Sequence, residues 1–264
     1  MLNNRTQVSQ LLGAQNPNSS LLPSGYYSGY SGSQQEVVMG AFLTAYTNSS
    51  IDAKSIHPLS NIPLPNWTIN YNGLSKFAFA KDVVKSFKLN HGYSSSVSVN
   101  GMQTNLNATV DANGHATAQD INNNYIAPMQ IQNITVSERF SPLIGMLATW
   151  NILGKNITTN FEYKKDRQTT LSLNNNQVTE VLGKEIVVGT VINVPKLKLP
   201  VRSLKPSDLL INVNFSFRDN STVIRKVVEN TNQATAGQTT VSFKLDANYK
   251  LSDHLSAIFY YEPS

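Results

Sequence analysis

The sequence predicts an all-β protein, an antiparallel transmembrane β-barrel segment with one short helix near residues 36–47. Three observations predict it. Apolar and polar side chains alternate along the chain, and the runs 85–99 and 239–251 hold that phase for about twice the 5–6 residues of an ordinary strand. Charged residues make up only 14% of the 264, whereas an ordinary soluble domain has about 25%. Asn, Ser and Thr supply the missing polarity, and they compete with the helix backbone for hydrogen bonds. Finally, no stretch reaches the roughly 18 consecutive apolar residues of a membrane helix, while a barrel strand crosses with about 9–11.

The elements follow in order. Residues 1–35 read as loop, with Asn16-Pro17-Asn18 and a Ser, Gly and Tyr-rich run at 24–33. Val38, Ala41, Phe42, Ala45 and Tyr46 recur at helical spacing and predict a short helix ending near Asn48. A connector with Pro58, Pro63 and Pro65 comes next. The division is therefore an extramembrane loop and helix over 1–62, then barrel strands with loops over 63–264.

Trp67, Ile69 and Tyr71 alternate with Thr68 and Asn70. Phe87, Leu89, His91, Tyr93, Val97 and Val99 then share one face, with Lys88, Asn90, Ser94, Ser96 and Ser98 on the other. Asn100-Gly101 accepts the positive φ angles of a type I′ turn, so Met102, Thr104, Leu106, Ala108 and Val110 are expected to complete a hairpin. A strand over 143–150 turns at Gly154-Lys155-Asn156 into Ile157, Thr159, Phe161 and Tyr163. Residues 186–194 are apolar on both faces. Leu209, Ile211, Val213, Phe215 and Phe217 oppose Asn212, Asn214, Ser216 and Arg218. Val241, Phe243, Leu245, Ala247, Tyr249 and Leu251 oppose Ser242, Lys244, Asp246, Asn248 and Lys250, and Ser252-Asp253-His254 turns into 255–261.

These faces give two residue sets. Phe161, Ile211, Val213, Phe215, Val241, Phe243 and Leu245 are the expected lipid-facing residues. Asn160, Glu162, Lys164, Asn212, Asn214, Lys244, Asp246 and Asn248 are the expected lumen lining. A Lys or Arg facing lipid at mid-bilayer costs roughly 2–4 kcal/mol, and the apolar faces of the last two long strands carry none. Trp67, Tyr71, Trp150, Tyr163, Tyr249, Tyr260 and Tyr261 fall mostly near strand ends, where interfacial girdles and ordinary sheet packing both use aromatics.

Chemistry is sparse. The absence of cysteine excludes disulfides, thiolate zinc sites and cysteine nucleophiles. The net charge is +5, but Lys164-Lys165-Arg167 and Lys196-Lys198-Arg202-Lys205 are short and interrupted, so they read as solvated turns with no nucleic-acid partner. His57, His91, His115 and His254 lack metal-ligand spacing, and His91 reads as a packed or interfacial residue. Glu138-Arg139, Glu162, Glu180 and Glu185 read as lumen or rim charges, not as an acid–base pair. There is no nucleophile elbow, phosphate loop or HExxH helix, so neither enzymatic activity nor a cofactor or metal is expected. Sequons at Asn48, Asn66, Asn107, Asn133, Asn156, Asn214 and Asn220 follow from an Asn, Ser and Thr-rich composition. Residues 1–20 lack the basic start and apolar core of a secretory signal.

Several stretches, in order, carry a family resemblance: IPLPNWTINYNGLSK at 62–76, LNHGYSSS at 89–96, SERFSPLIG at 137–145, FEYKKDRQTTLSLNNNQVTEV at 161–181 and FRDNSTVIRKVVENTNQATAGQTTVSFKLDANYKLSD at 217–253. They resemble the C-terminal region of the SprA/Sov family, the outer-membrane translocon of the type IX secretion system of Bacteroidota. The resemblance runs from about Glu36 to Tyr261. It implies a very large single-chain barrel in the bacterial outer membrane through which folded cargo leaves the periplasm. Implied partners are the remaining translocon strands, a smaller cargo-receiving outer-membrane barrel, a periplasmic plug protein, secreted cargo proteins and the lipid bilayer. Gliding motility often depends on such a system. Family members are several times longer, so this chain is expected to be a fragment or one piece of a split gene. The alternative expectation is a soluble or surface-exposed β-rich binding module, an adhesin or glycan binder using its tyrosines.

Overall fold

The computed structural model describes residues 2–47, 49–56, 65–73, 84–152, 154–198, 200, 206–252 and 254–263. His57, Pro58, Pro63, Asn48, Arg202, Lys205 and Asp253 lie outside the described residues. The chain is mainly antiparallel β-sheet, in agreement with the expected all-β class. Two helices, α1 (Leu2–Ala14) and α2 (Gln35–Thr47), precede the strands. Eight strands form one sheet: β1 (Trp67–Tyr71), β2 (Val84–Asn100), β5 (Asn133–Ile152), β6 (Lys155–Ser172), β7 (Gln177–Leu197), β8 (Ser207–Lys226), β9 (Thr231–Ser252) and β10 (Leu255–Tyr261), with neighbours in that order. β3 (Gln103–Thr104) and β4 (Met129–Gln130) pair separately at the foot of the long β2–β5 connection.

The long strands are of unusual length. β7 has 21 residues and β9 has 22, whereas ordinary strands have about 5–6. The turns joining them are short because their residues accept tight geometry. Asn176 and Asn230 adopt left-handed φ of 50° and 54° at the β6–β7 and β8–β9 turns, a conformation asparagine tolerates better than most side chains.

Two expectations are corrected. Residues 1–35 are not all loop, since 2–14 form α1. Its buried stripe is Arg5, Val8 and Ser9 together with the partly buried Leu11 and Leu12, so two of its five residues are polar and the helical period is masked. Those polar groups satisfy loop backbone: Arg5 Nη1 donates to Gly32 O at 2.9 Å and Ser9 Oγ to Tyr30 O at 2.6 Å. Second, 102–110 do not complete a hairpin with β2, whose partners are β1 and β5. Asp111 Oδ1 accepts the Asn113 and His115 backbone N–H groups, and Asp120 Oδ1 those of Asn122 and Asn124. These side chains curl the segment and remove it from the ladder. The sheet itself is open. Among the described residues β1 and β10 are its edges and do not pair with each other.

The core lies at one end of the sheet. Val38, Met39, Phe42 and Leu43 of α2 pack on Ile134 and Val136 of β5, Leu171 of β6 and Val178 of β7. α1 packs behind α2 through Val8, Ala41 and Ile56. The other end carries no such cover.

Candidate functional site

Register determines which side chains share a face. Tyr71, Leu89, Met146, Phe161, Val188, Phe215 and Phe243 form one continuous row across seven strands. Parallel rows on the same face include Ile144, Tyr163, Ile186, Phe217 and Val241, then Ala148, Thr159, Thr190, Val213, Leu245 and Tyr261, then Trp150, Ile157, Ile192, Ile211, Ala247 and Phe259. These rows contain no Asp, Glu, Lys or Arg, and several of their side chains are open, with Val188 43% exposed, Phe215 40% and Val241 60%, while Ala148 is buried. The stretch 209–217 extends about 26 Å at about 3.3 Å per residue. Tilted by about 40°, it covers about 20 Å of depth, close to the roughly 25 Å apolar band of outer-membrane barrels.

The opposite face at the same level is ionic and amide-rich. Lys164 Nζ lies 3.0 Å from Glu162 Oε2 and 3.8 Å from Glu185 Oε2. Arg218 reaches Glu185 at 3.6 Å and Asp166 at 3.3 Å. Lys244 pairs with Glu262 at 2.7 Å, and Asn212 Nδ2 donates to Asp246. These groups remain partly exposed, so each pair contributes only about 0–1 kcal/mol to stability. Their significance is that they keep this face wet. Gly189 sits on the same face, and a Cβ there would collide with the amide oxygens of Asn160 and Asn214. The missing side chain lets two polar groups fold over the backbone and crowds amides along this surface.

Every expected lumen residue is placed on this one face, and every expected lipid-facing residue on the other. Asn160 stands opposite Gly189, Asn214 opposite Lys244, Asn212 opposite Asp246 and Asn248 opposite Leu210. Sequence periodicity missed Asp166, and it named Glu185 only as a lumen or rim charge, because the meeting of both with Arg218 depends on register across β6, β7 and β8. The polar face is also interrupted by Leu147, Val187, Val191 and Leu210.

Aromatic residues gather at one margin of the apolar rows. Trp67 stacks on Tyr93 at 4.4 Å between centroids and on His91 at 6.3 Å, and Phe140 packs against both His91 and Tyr93. His91 Nδ1 donates to Leu143 O at 2.7 Å, which makes it a packed residue of this cluster. Trp150 and Tyr249 lie toward the other margin and satisfy their polar tips on Thr159 and on Leu197 O.

Between the apolar rows and the helices runs a charged strip on the same face. Arg167 Nε donates to Glu180 Oε1 at 2.7 Å, Arg225 Nη2 donates to Glu180 Oε2 at 2.9 Å, and Arg167 stands 4.0 Å from Glu138. Burial, reinforced by the Glu138 carboxylate, pushes the Tyr46 phenol of α2 above its ordinary 10.0. In the β2–β5 connection the backbone N–H of His115 holds Asp111 below the usual carboxylate range. Among the described residues, no three His, Asp or Glu side chains converge as a metal site needs. No helix among them is long and apolar enough to cross a membrane, which has no bearing on strands.

A polar cleft of about 710 Å³ opens beside the α2 N-terminus. Asp120, Asn122, Asn124 and Tyr125 line one side of it, and Asn175, Asn176 and Glu229 of the two tight turns line the other.

No protein-family model matches this chain, and no curated protein matches it.

Proposed function

We propose that this chain is a wall segment of an outer-membrane β-barrel that exports protein, completed by further strands at the edges of β1 and β10. One observation carries the membrane part of this reading. At a single level of the sheet one face is free of charge and open, while the other holds Glu162, Lys164, Glu185, Arg218, Lys244 and Asp246. In water, exposed Val188, Phe215, Phe217 and Val241 would form a large sticky patch. Against acyl chains they are matched to their surroundings, and their alternate neighbours line a hydrated passage.

The export part rests on the stretches that resemble the SprA/Sov family. Under this reading the wall works passively. Amides and scattered charges adhere weakly to passing protein, and no residue performs covalent chemistry. The partners are the remaining translocon strands, a smaller cargo-receiving barrel, a periplasmic plug protein and the cargo itself. Fractionation of cells expressing the chain tests it: recovery in outer membranes after a carbonate wash is expected, and recovery as a monodisperse protein in plain buffer contradicts it.

A second reading, a surface-exposed binding module, is favoured by the amide-lined cleft beside α2. A polyhydroxylated ligand is the chemistry its Asn, Asp and Tyr side chains fit. Glycan-array binding lost on Asn122→Ala with Asp120→Ala supports that reading, and no binding by the wild-type chain removes it.

A further inference from the structure

We propose that the pocket between the first turn of α1 and the β8–β9 turn binds the phosphate monoester of a small polyhydroxylated molecule, a sugar phosphate by chemical class. The site lies on the helical cap, shares no lining residue with the amide-lined cleft beside α2, and is independent of what the apolar rows touch.

The decisive residue is Arg5. It is only 4% exposed, and among the described residues it forms no ion pair. Nη1 donates to the neutral Gly32 carbonyl at 2.9 Å, while Nε is buried and has no acceptor. A charge taken out of water costs free energy that one carbonyl does not offset. The guanidinium therefore calls for an anion. The pocket that Arg5 lines encloses about 420 Å³, within the roughly 300–1,000 Å³ of small-molecule sites.

The other charged residues of its wall are Arg225 and Lys226, the last two of β8, and no Asp or Glu lines it. The carboxylates of the neighbouring elements face elsewhere or are shared. Glu180 accepts from Arg225 Nη2 at 2.9 Å but also from Arg167 Nε at 2.7 Å. Glu229 of the β8–β9 turn lines the cleft beside α2, and Glu36 of α2 accepts from Gln34 Nε2 at 3.2 Å. Lys226 stands between the neutral Gln177 and Thr231 in register. Three cations against one shared carboxylate leave a positive excess that a dianion fits better than a monoanion.

The helix adds to that field. Asn3 and Arg5 belong to the first turn of α1, which has no acidic residue and whose N–H groups have no acceptor inside the helix. Around the cations stand the amides of Asn3, Asn230 and Asn232. Each can both donate and accept a hydrogen bond, which suits the hydroxyls of the molecule that carries the phosphate.

Isothermal titration calorimetry of the full chain in a neutral detergent tests the site, with glucose 6-phosphate, glucuronate, glucose and inorganic phosphate as probes. Glucose 6-phosphate is expected to bind with Kd below about 1 mM. Glucuronate, a hexose with a single negative charge, is expected to bind about tenfold more weakly, and glucose not at all. Arg5→Gln is expected to abolish binding. Because that variant also loses the bond to Gly32, Lys226→Gln at an exposed position decides the case, with an expected weakening of about tenfold. Affinity unchanged by Lys226→Gln overturns the location. Glucuronate or glucose bound as tightly as glucose 6-phosphate overturns the dianion, and inorganic phosphate bound as tightly makes the bare ion the ligand and overturns the sugar. No binding of either phosphate at about 10 mM overturns the site and leaves the reading of the wall standing.

Discussion

The same face of the same sheet is treated in two ways along its length. At the helical end, Ile134 and Leu171 are fully buried beneath Val38, Phe42 and Leu43 of α2. Farther along the same strands no helix covers the face, and Ile186, Val188, Phe215, Phe217 and Val241 are exposed. Alternation is equally regular in both places, so composition does not explain the difference. The first region is built to exclude water with the chain's own atoms, and the second leaves its apolar rows for another medium. The strip of Arg167, Glu180 and Arg225 separates them, and under the proposed reading it marks the boundary between the packed cap and the bilayer.

Substitutions can break this comparison. The largest effect is expected under the helices, where Leu43→Ala should cost about 2–5 kcal/mol of cap stability. Hydrogen exchange of the α1 and α2 amides measures it, and unchanged protection would show that the cap is not held by this contact. Next, Phe215→Arg should cost about 2–4 kcal/mol of membrane stability, whereas Asn214→Arg, one residue away, should cost little. Outer-membrane yield of the two variants compares them, and equal yields would remove the distinction between faces. Glu180→Gln should cost about 1–2 kcal/mol, because it weakens two hydrogen bonds to arginines that are themselves half exposed. Urea unfolding followed at the cap reads this loss, and Glu162→Gln on the wet face is the control expected to change almost nothing.

The smallest effect is on titration. The Tyr46 phenol ionises above its ordinary 10.0 in the folded chain, so its contribution to stability is complete below that pH and is lost as pH rises toward the raised value. Ultraviolet titration of wild-type protein against Tyr46→Phe should show the missing phenolate step at the alkaline end. A step missing near pH 10 would place Tyr46 in water.

Much of the two-faced wall was legible because period two is a local property. Phe215 and Asn214 declare opposite faces whatever strand lies beside them. The ion pairs of Arg218 with Glu185 and Asp166 were not legible, since they require three strands in register. α1 was hidden by its own function: Arg5 and Ser9 occupy its buried stripe to satisfy the carbonyls of Gly32 and Tyr30, so the apolar period is broken where the helix packs. The hairpin expected over 102–110 failed for a related reason. Its alternation is real, but Asp111 and Asp120 capture nearby N–H groups, and local side-chain bonds outcompeted the ladder. The cap over Ile134 was equally invisible, because nothing in a strand's sequence says whether a helix or a lipid will cover it.

The central claim is that the uncovered rows touch hydrocarbon while their alternate neighbours touch water. Nitroxide labels at Phe243 and at Lys244, compared in reconstituted membranes, test it most directly. The account predicts that the Phe243 label is relaxed chiefly by dissolved oxygen and the Lys244 label chiefly by a water-soluble nickel chelate. Equal accessibility of both labels to the chelate would contradict it.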